Sequence, residues 1–389
     1  MYLDTEEKVV ASLVSGIFPD SVEFDFRGPI RRDSDSRVAV VIDGRGAWAD
    51  AWTRMCALVC HFPNYEPDKS RRTRVTRTGI GREDVDDFVY EHKELFDNCF
   101  WRIVDLSDRQ VRVETFRPQY EGRRGDFVDV EFEFVLGRFS NPVFQRKLRS
   151  REQNPDLQLS VLFCGPDPAA NLSMARHTLD RHPVGAPPVR MLCLAPSVST
   201  ADVPPGVLTF GDTEGADARF DRLLAMARYL NYFYSASYSL SHIPAELPKA
   251  AVDEAWKEVK GRQMVLSNVF NIMTMASKMR TLGHSRDDWR GFYALTAAEI
   301  EEMTPVEHNR WSVERLLSGS RPCTDAERKE VLADMSLKKK YKNERNAHFD
   351  LVAFDELGVD ATGLNVARYD SDLIAAIPLI VKSFADDNL

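Results

Sequence analysis

The sequence has little that would carry it into or across a membrane. The longest apolar run near its end, LIAAIPLIV, covers only residues 373–381, and a bilayer-spanning helix needs ~20 apolar residues. The N-terminus, MYLDTEEKVV, has no basic start followed by an apolar stretch, so no signal peptide is expected and a cytoplasmic location is. Excess positive charge is also missing. Lys and Arg number 51 against 60 Asp and Glu, a net charge of −9, which disfavours general nucleic-acid binding, because phosphate contacts need surplus cations on one face. Cys56, Cys60 and His61 lie close together, but no second ligand pair follows at zinc spacing, and no metal is expected. The six cysteines read instead as buried free thiols of a reducing compartment. Internal repeats, low-complexity tracts, a nucleophile elbow and evident paired carboxylates are all lacking. The catalytic inventory is therefore incomplete, and whether the chain is an enzyme stays open.

What is present is the material of a folded protein with more than one core. The chain has 389 residues, 43% hydrophobic and 29% charged, enough for two or three domains. RVAVVID (37–43) is an apolar, valine-rich run of the kind found in a parallel strand covered on both faces. GRGAWADAWTRMCALVC follows as a tight turn and a helix, then TRVT (73–76), a helix over 82–98, and the strand-like WRIVDL (101–106). DFVDVEFEFVLG (126–137) alternates as a strand. LSVLFCG (159–165), a helix over 168–180, VRMLCLA (189–195) and VLTFGD (207–212) extend the α/β pattern. From residue 216 long helical patterns take over, over 216–237, 250–282, 296–318, 325–346 and 369–385. The expected fold class is a Rossmann-like α/β N-terminal region followed by a mainly α-helical C-terminal domain. The expected divisions are an N-terminal extension (1–36), the α/β region (37–215), a helical connector (216–295) and the C-terminal domain (296–389).

Between the first strand and first helix of that region, Gly44, Gly46 and Ala49 fit G-x-G-x-x-G/A. The first glycine permits the turn, the second lets a pyrophosphate approach the backbone, and the third, small position lets helix pack on strand. The acid that would hold a ribose hydroxyl after the second strand is absent; Arg77, Thr78 and Gly79 stand there. Arg77 suits a 2′-phosphate, as in NADP-type sites, and the alternative is a turn kept for packing alone. A second turn, CGPDPAAN (164–171), reads as an ordinary strand-to-helix loop. The basic run from Lys69 through Arg71 and Arg72 to Arg74 reads as a solvated loop.

The stretch VEHNRWSVERLLSGSRP (306–322) poses a different question. On a helix, Val306, Val313, Leu316 and Leu317 form an apolar stripe, while His308, Trp311 and Arg315 fall nearly opposite. An indole can stack on a flat ring, a guanidinium can hold phosphate or carboxylate, and an imidazole adds a donor or acceptor. Together they suit a nucleotide-like molecule; the competing reading packs Trp311 on a neighbouring helix and pairs Arg315 with an acid. LKKKYKNERN (337–346) reads as a solvated helical face, whose basic charge would also attract an anion. Asp370 and Asp372 read as the start of the last helix, and Pro378 as a kink within it.

EEMTPVEHNRWSVERLLSG (301–319), KNERNAHFDLVAFDEL (342–357) and YDSDLIAAIPLIV (369–381) resemble the ryanodine-receptor (RyR) repeat domain. The form is that of prokaryotic proteins in which this domain follows a TrkA-N-like Rossmann region; the glycine turn, RTRVT (72–76), VDVEFEF (128–134) and FGD (210–212) fit the same architecture. The resemblance implies a sensor or regulatory protein in signalling or defence that binds a nucleotide-derived small molecule. It adds His348 to the candidate ligand residues His308, Trp311 and Arg315. NAD(P) or another nucleotide is the implied cofactor, at Gly44, Gly46, Ala49 and Arg77, and the partners that suit a sensor are a second copy of the chain or an effector. An enzyme acting on NAD(P), with Glu307 or His308 as acid/base, is the alternative.

Overall fold

In the computed structural model, described over residues 3–18, 20–107, 110–119, 126–236, 248–285, 294–359 and 363–385, the valine-rich run becomes a strand buried on both sides. Parts of the expected connector, 237–247 and 286–293, lie outside the described residues. The α/β elements follow in order: α1 (Thr5–Val14), β1 (Arg37–Asp43), α2 (Ala47–Val59), β2 (Thr73–Ile80), α3 (Arg82–Glu91), α4 (Lys93–Phe96), β3 (Phe100–Asp105), β4 (Arg112–Phe116), β5 (Val130–Leu136), α5 (Pro142–Glu152), β6 (Leu157–Phe163), α6 (Pro168–Asp180), β7 (Arg190–Leu194) and β8 (Val207–Phe210). The helical part comprises α7 (Ala216–Ala236), α8 (Lys249–Trp256), α9 (Arg262–Thr281), α10 (Ala297–Leu317), α11 (Asp325–Ala333), α12 (Ser336–Arg345) and α13 (Ala367–Ala385). Two short strands, β9 (Arg321–Pro322) and β10 (Ala347–His348), pair in parallel.

Eight strands form one sheet in the order β4-β3-β5-β2-β1-β6-β7-β8. All neighbouring pairs are parallel except the β3–β4 hairpin. From β5 to β8 this is the Rossmann order, with β3 and β4 added outside β5. The order reverses between β1 and β6, so the crevice at their carboxyl ends is the topological switch point.

Alternation along β1 explains the layers. Val38, Val40 and Ile42 enter a large core, while Ala39 and Val41 enter a smaller one with Phe144 and Leu148 of α5 and Ala175 of α6. The large core is continuous from Leu3 of the N-terminal segment, through α2, to Val381 of α13. Helix α2 is apolar nearly all round, and a helix of that kind must be covered on all sides. Trp52 of α2 is fully buried, edge-on to Phe24 and Phe210 at 6.3 and 5.2 Å. The helices α1, α9 and α10 lie against it.

Several elements differ from the sequence expectation. The helical pattern over 250–282 breaks into α8 and α9 at Gly261 (φ +86°), and that over 325–346 breaks at Asp334, whose backbone is extended. The helix over 82–98 divides at His92. Strand β4 was not anticipated. The basic run is not wholly a solvated loop: Arg72 is buried against Phe100 and pairs with Asp126, and Arg74 within β2 pairs with Glu131.

The two turn glycines do different work. Gly44 has φ +128°, and a Cβ there would lie 2.9 Å from the Cys164 carbonyl carbon. Gly46 has φ +81° but faces open space. Gly44→Ala is expected to cost about 3 kcal/mol and Gly46→Ala about 1 kcal/mol, the first adding a backbone clash to the left-handed strain they share. Urea unfolding of the two variants measures the difference, and equal losses would refute this account of the turn.

Candidate functional site

Helix α10 is anchored at its start by a capping box, in which Thr296 accepts from the Glu299 amide and Glu299 accepts from the Thr296 amide. Its 3.6-residue period then puts positions 308, 311 and 315 along one side. At its far end β9 pairs with β10, and Asn346, in the left-handed conformation at the end of α12, turns the chain into β10. That turn delivers His348 to Trp311.

The four expected ligand residues converge. The His308 ring lies 5.7 Å from that of Trp311 in a near-parallel stack, and the His348 ring lies edge-on to Trp311 at 4.8 Å. The Arg315 guanidinium carbon is 5.7 Å from the Trp311 ring centre. Trp311 itself is only partly buried, at the rim of the large core. Tyr234 of α7, 47% exposed, and Tyr369 of α13 lie with ring centres 5.8 Å apart, and Arg315 and Asp370 are within electrostatic reach of the Tyr234 hydroxyl.

The charges in this cluster have separate roles. His348 is buried, its Nδ1 accepts from the Asp350 amide at 3.3 Å, and its pKa lies well below the usual imidazole value. Burial is the main cause, followed by Lys342, Arg315 and Lys338. The ring is therefore neutral, with its proton on Nε2. His308 is the opposite case. Burial works against its charge, but Asp370 and the Val352 carbonyl outweigh burial and raise its pKa. Its Nε2–H donates to Val352 O at 2.9 Å, and Nδ1 is 3.4 Å from an Asp370 oxygen. Arg315 Nη2 donates to Ser267 at 3.2 Å and lies 3.5 Å from Glu314 Oε1, the acid pairing of the competing reading, while its buried Nε has no partner among the described residues. Lys338 pairs with Asp350 at 2.8 Å. Lys342, one turn further along α12, has its pKa lowered, first by desolvation and then by Arg315.

The expectation of one apolar stripe opposite one open face needs correcting. Residues Met303 to Arg310 are all buried, because α10 is enclosed by α2, α9 and α13. Val306, Val313 and Leu316 do enter the core. A third set, unread in the sequence, is ionic. Arg310 donates to Glu307 at 2.8 and 2.9 Å and to Glu314 at 3.0 Å, and Lys278 of α9 pairs with Glu307. All four side chains are buried. Burial opposes the charge of Glu307, yet Arg310 and Lys278 hold its pKa down at about 2. A carboxylate held so firmly ionised is a structural anion and a poor proton donor. Asp370 is in the first turn of α13, as expected, but its contact with His308 depends on tertiary folding and had no signal in the sequence.

At the switch point, the Gly44–Gly46 turn leads into α2, whose first residue, Ala47, is exposed and whose N-cap, Gly46, has no side-chain cap. Ala49 is buried against the core. Arg77 is turned inward at 3% exposure, donating to Asp50 at 2.8 Å, Thr53 at 3.0 Å and Gly44 O at 3.2 Å. It fastens the turn to α2. Asp43, closing β1, has its pKa raised to about 7, by burial first and against the pull of Arg77. Its carboxylate fills the space left by Gly79, where a Cβ would sit 2.5 Å away. Cys56 and Cys60 are buried, His61 bonds Asp129 at 2.8 Å, and no metal-binding group of His, Cys, Asp and Glu occurs among the described residues. No helix among those residues is long and apolar enough to cross a membrane.

Glu307 and Asp43 predict opposite pH dependences. The folded-state pKa of Glu307 is depressed, so its contribution is present above about 4.5 and is lost as pH falls towards about 2. Glu307→Gln leaves Lys278 and Arg310 without that charge and is expected to cost about 3–5 kcal/mol near neutrality. The folded-state pKa of Asp43 is raised, so its contribution is full below 3.8 and is lost as pH rises through about 7. Asp43→Asn should stabilise the protein at pH above 7 by about 4 kcal/mol and leave it unchanged near pH 3. Denaturant unfolding across pH measures both, and parallel profiles for the variants and the parent would refute the assignments. No family model, no curated protein and no solved structure matches this chain.

Proposed function

We propose that the chain is a sensor or regulatory protein that binds a nucleotide-derived small molecule at the Trp311 cluster, in signalling or defence. The observation that carries this reading is the convergence of a partly open indole, a neutral imidazole and an Arg315 guanidinium with an unpartnered buried nitrogen. An aromatic face suits a base, and the cations Arg315 and Lys342 suit a phosphate. Because its Nδ1 accepts from the Asp350 amide, the His348 Nε2–H suits a ligand oxygen acceptor at any ordinary pH. The resemblance of residues 301–319 and 342–357 to the RyR repeat agrees with it.

A second reading has one observation of its own. Asp43, with its pKa near 7, stands beside the glycine turn at the switch point, where open α/β sheets bind their ligands. A group poised there suits proton transfer in an enzyme acting on NAD(P).

Calorimetric titration with NADP, ADP-ribose and cyclic nucleotides tests the first reading. Binding by at least one of these is expected, weakened about tenfold or more by Trp311→Leu and by Arg315→Met, each loss corresponding to about 1.4 kcal/mol. Folded protein that binds none of them would reject the sensor reading. Product analysis after incubation with NADP separates the two: turnover abolished by Asp43→Asn supports the enzyme, and unchanged ligand supports the sensor.

A further inference from the structure

Three cations share one carboxylate on the face of the sheet that carries α5. The Glu133 side chain of β5 is 1% exposed. Arg151 of α5 reaches its Oε1 at 2.6 Å, while Arg102 of β3 and Lys147 of α5 reach its Oε2 at 2.6 and 2.5 Å. Register places Arg102, Glu133 and Thr76 in one row across β3, β5 and β2, and Arg151 also donates to Thr76 at 3.0 Å. Arg74 and Glu131 form the next row towards the amino ends of the strands, joined at 2.5 Å. Arg77, out of phase with Arg74 and Thr76 along β2, reaches Asp50 of α2 on the other face.

The charges of this group do not cancel. Arg74, Arg102, Lys147 and Arg151 stand against Glu131 and Glu133, an excess of two positive charges in a chain of net charge −9. Arg37, at the start of β1, faces Arg74 as a like charge with Asp156 to offset it, and its guanidinium has no hydrogen bond or ion pair among the described residues. Pairing within the chain uses up the acids and leaves cations over. Like charges repel more strongly where water is withdrawn. The pKa values of Lys147 and Arg151 are accordingly lowered, by desolvation first, with neighbouring arginines adding to it against the pull of Glu133.

The outward side of the group is open. The Arg102 and Lys147 side chains are each 35% exposed, and Thr115 of β4, opposite Arg102, is exposed. Arg102 uses Nε and Nη2 on Glu133, and Arg74 uses Nε on Glu131. Arg102 Nη1 and both terminal nitrogens of Arg74 have no partner among the described residues. Because Glu133 is buried beneath them, an anion arriving from solvent meets the cations first.

We propose that this group binds a phosphate dianion, free or as the head of a small monoester, between Arg102 and Lys147 and beside Arg74. Two negative charges match an excess of two, which a single carboxylate does not, and guanidinium forks suit phosphate oxygens. The site is separate from the Trp311 cluster, whose helix α10 packs on α2 across the sheet.

Titration calorimetry of the full chain with inorganic phosphate tests it, at low ionic strength and about pH 8, where phosphate is dianionic. Saturable binding is expected, competed by sulfate and weakened about tenfold by Arg102→Gln and by Lys147→Gln, the loss of one charge-assisted hydrogen bond each. Glu131→Gln removes a competing acid and should tighten binding, which no packing role of these residues would produce. Arg315→Met and Trp311→Leu should leave it unchanged. Glycerol phosphate in a second arm identifies the source: tighter binding than phosphate marks a monoester ligand, and equal binding marks the free anion. Circular dichroism matching the parent verifies that these rim substitutions leave the fold intact. Folded parent that takes up no phosphate would overturn the proposal. So would binding that survives both Arg102→Gln and Lys147→Gln, that Glu131→Gln fails to tighten, or that is lost with Arg315→Met.

Discussion

The rotation of α10 about its own axis depends on one buried ionic network. Val306, Val313 and Leu316 supply burial, which has no preferred direction and tolerates small turns of the helix. The Arg310 fork on Glu307 and Glu314, with Lys278 closing on Glu307, does not. Charges out of water are tolerable only when their partners are in place, so rotating α10 would strand several at once. With that side fixed, the side carrying Trp311 and Arg315 is fixed as well. The Trp311 and Arg315 side lies about 100° round the helix from this network, and Arg315 Nη2 is itself 3.5 Å from Glu314, so the network holds that side in position.

The two regions that the sequence marked for nucleotides have different characters. At the switch point the donors are largely engaged: Arg77 holds Asp50, Thr53 and a turn carbonyl, and Asp43 fills the gap beside Gly79. Around Trp311, Arg315 is held by Ser267 and Glu314 and His348 accepts from the Asp350 amide, and among the described residues the buried Nε of Arg315 lacks a partner, as does that of Arg77. Arg77 stands where the ribose-binding acid would be and shows how a position can keep a glycine turn in shape while serving the protein's own helix.

Much of the fold was legible because its signals are local. Strands covered on both faces, such as β1 and β6, announce themselves as unbroken apolar runs. Helix α6 began and ended where its Asp167 cap and its apolar spacing place it. Strand β4 escaped because both its faces are largely exposed, so no alternation of apolar and polar residues marks it. The breaks at Gly261 and Asp334 interrupt patterns whose period continues on either side. At the site, period alone brought His308, Trp311 and Arg315 together, and resemblance added His348. That His308 turns inward to Asp370, and that Glu307 is locked, depends on α9 and α13 arriving from distant sequence. An amphipathic reading assumes a helix with one covered side, and α10 is covered on nearly all of them.

The segment after α10 carries a hydrophobic cluster of its own: Cys323, Val331, Tyr341, Ala347 and Phe349, separate from the two larger cores. Its two ends are tied to each other by β9 and β10, Arg321 opposite Ala347 and Pro322 opposite His348, and it meets the rest through the His348 ring on Trp311. A cluster of five buried residues has far less apolar burial behind it than the large core has. His348 and Lys342 ride on that segment, while Trp311 and Arg315 belong to the locked helix. The two sides of the Trp311 group are thus held by different forces: one by a separate small apolar cluster, the other by buried ion pairs whose strength follows charge and pH.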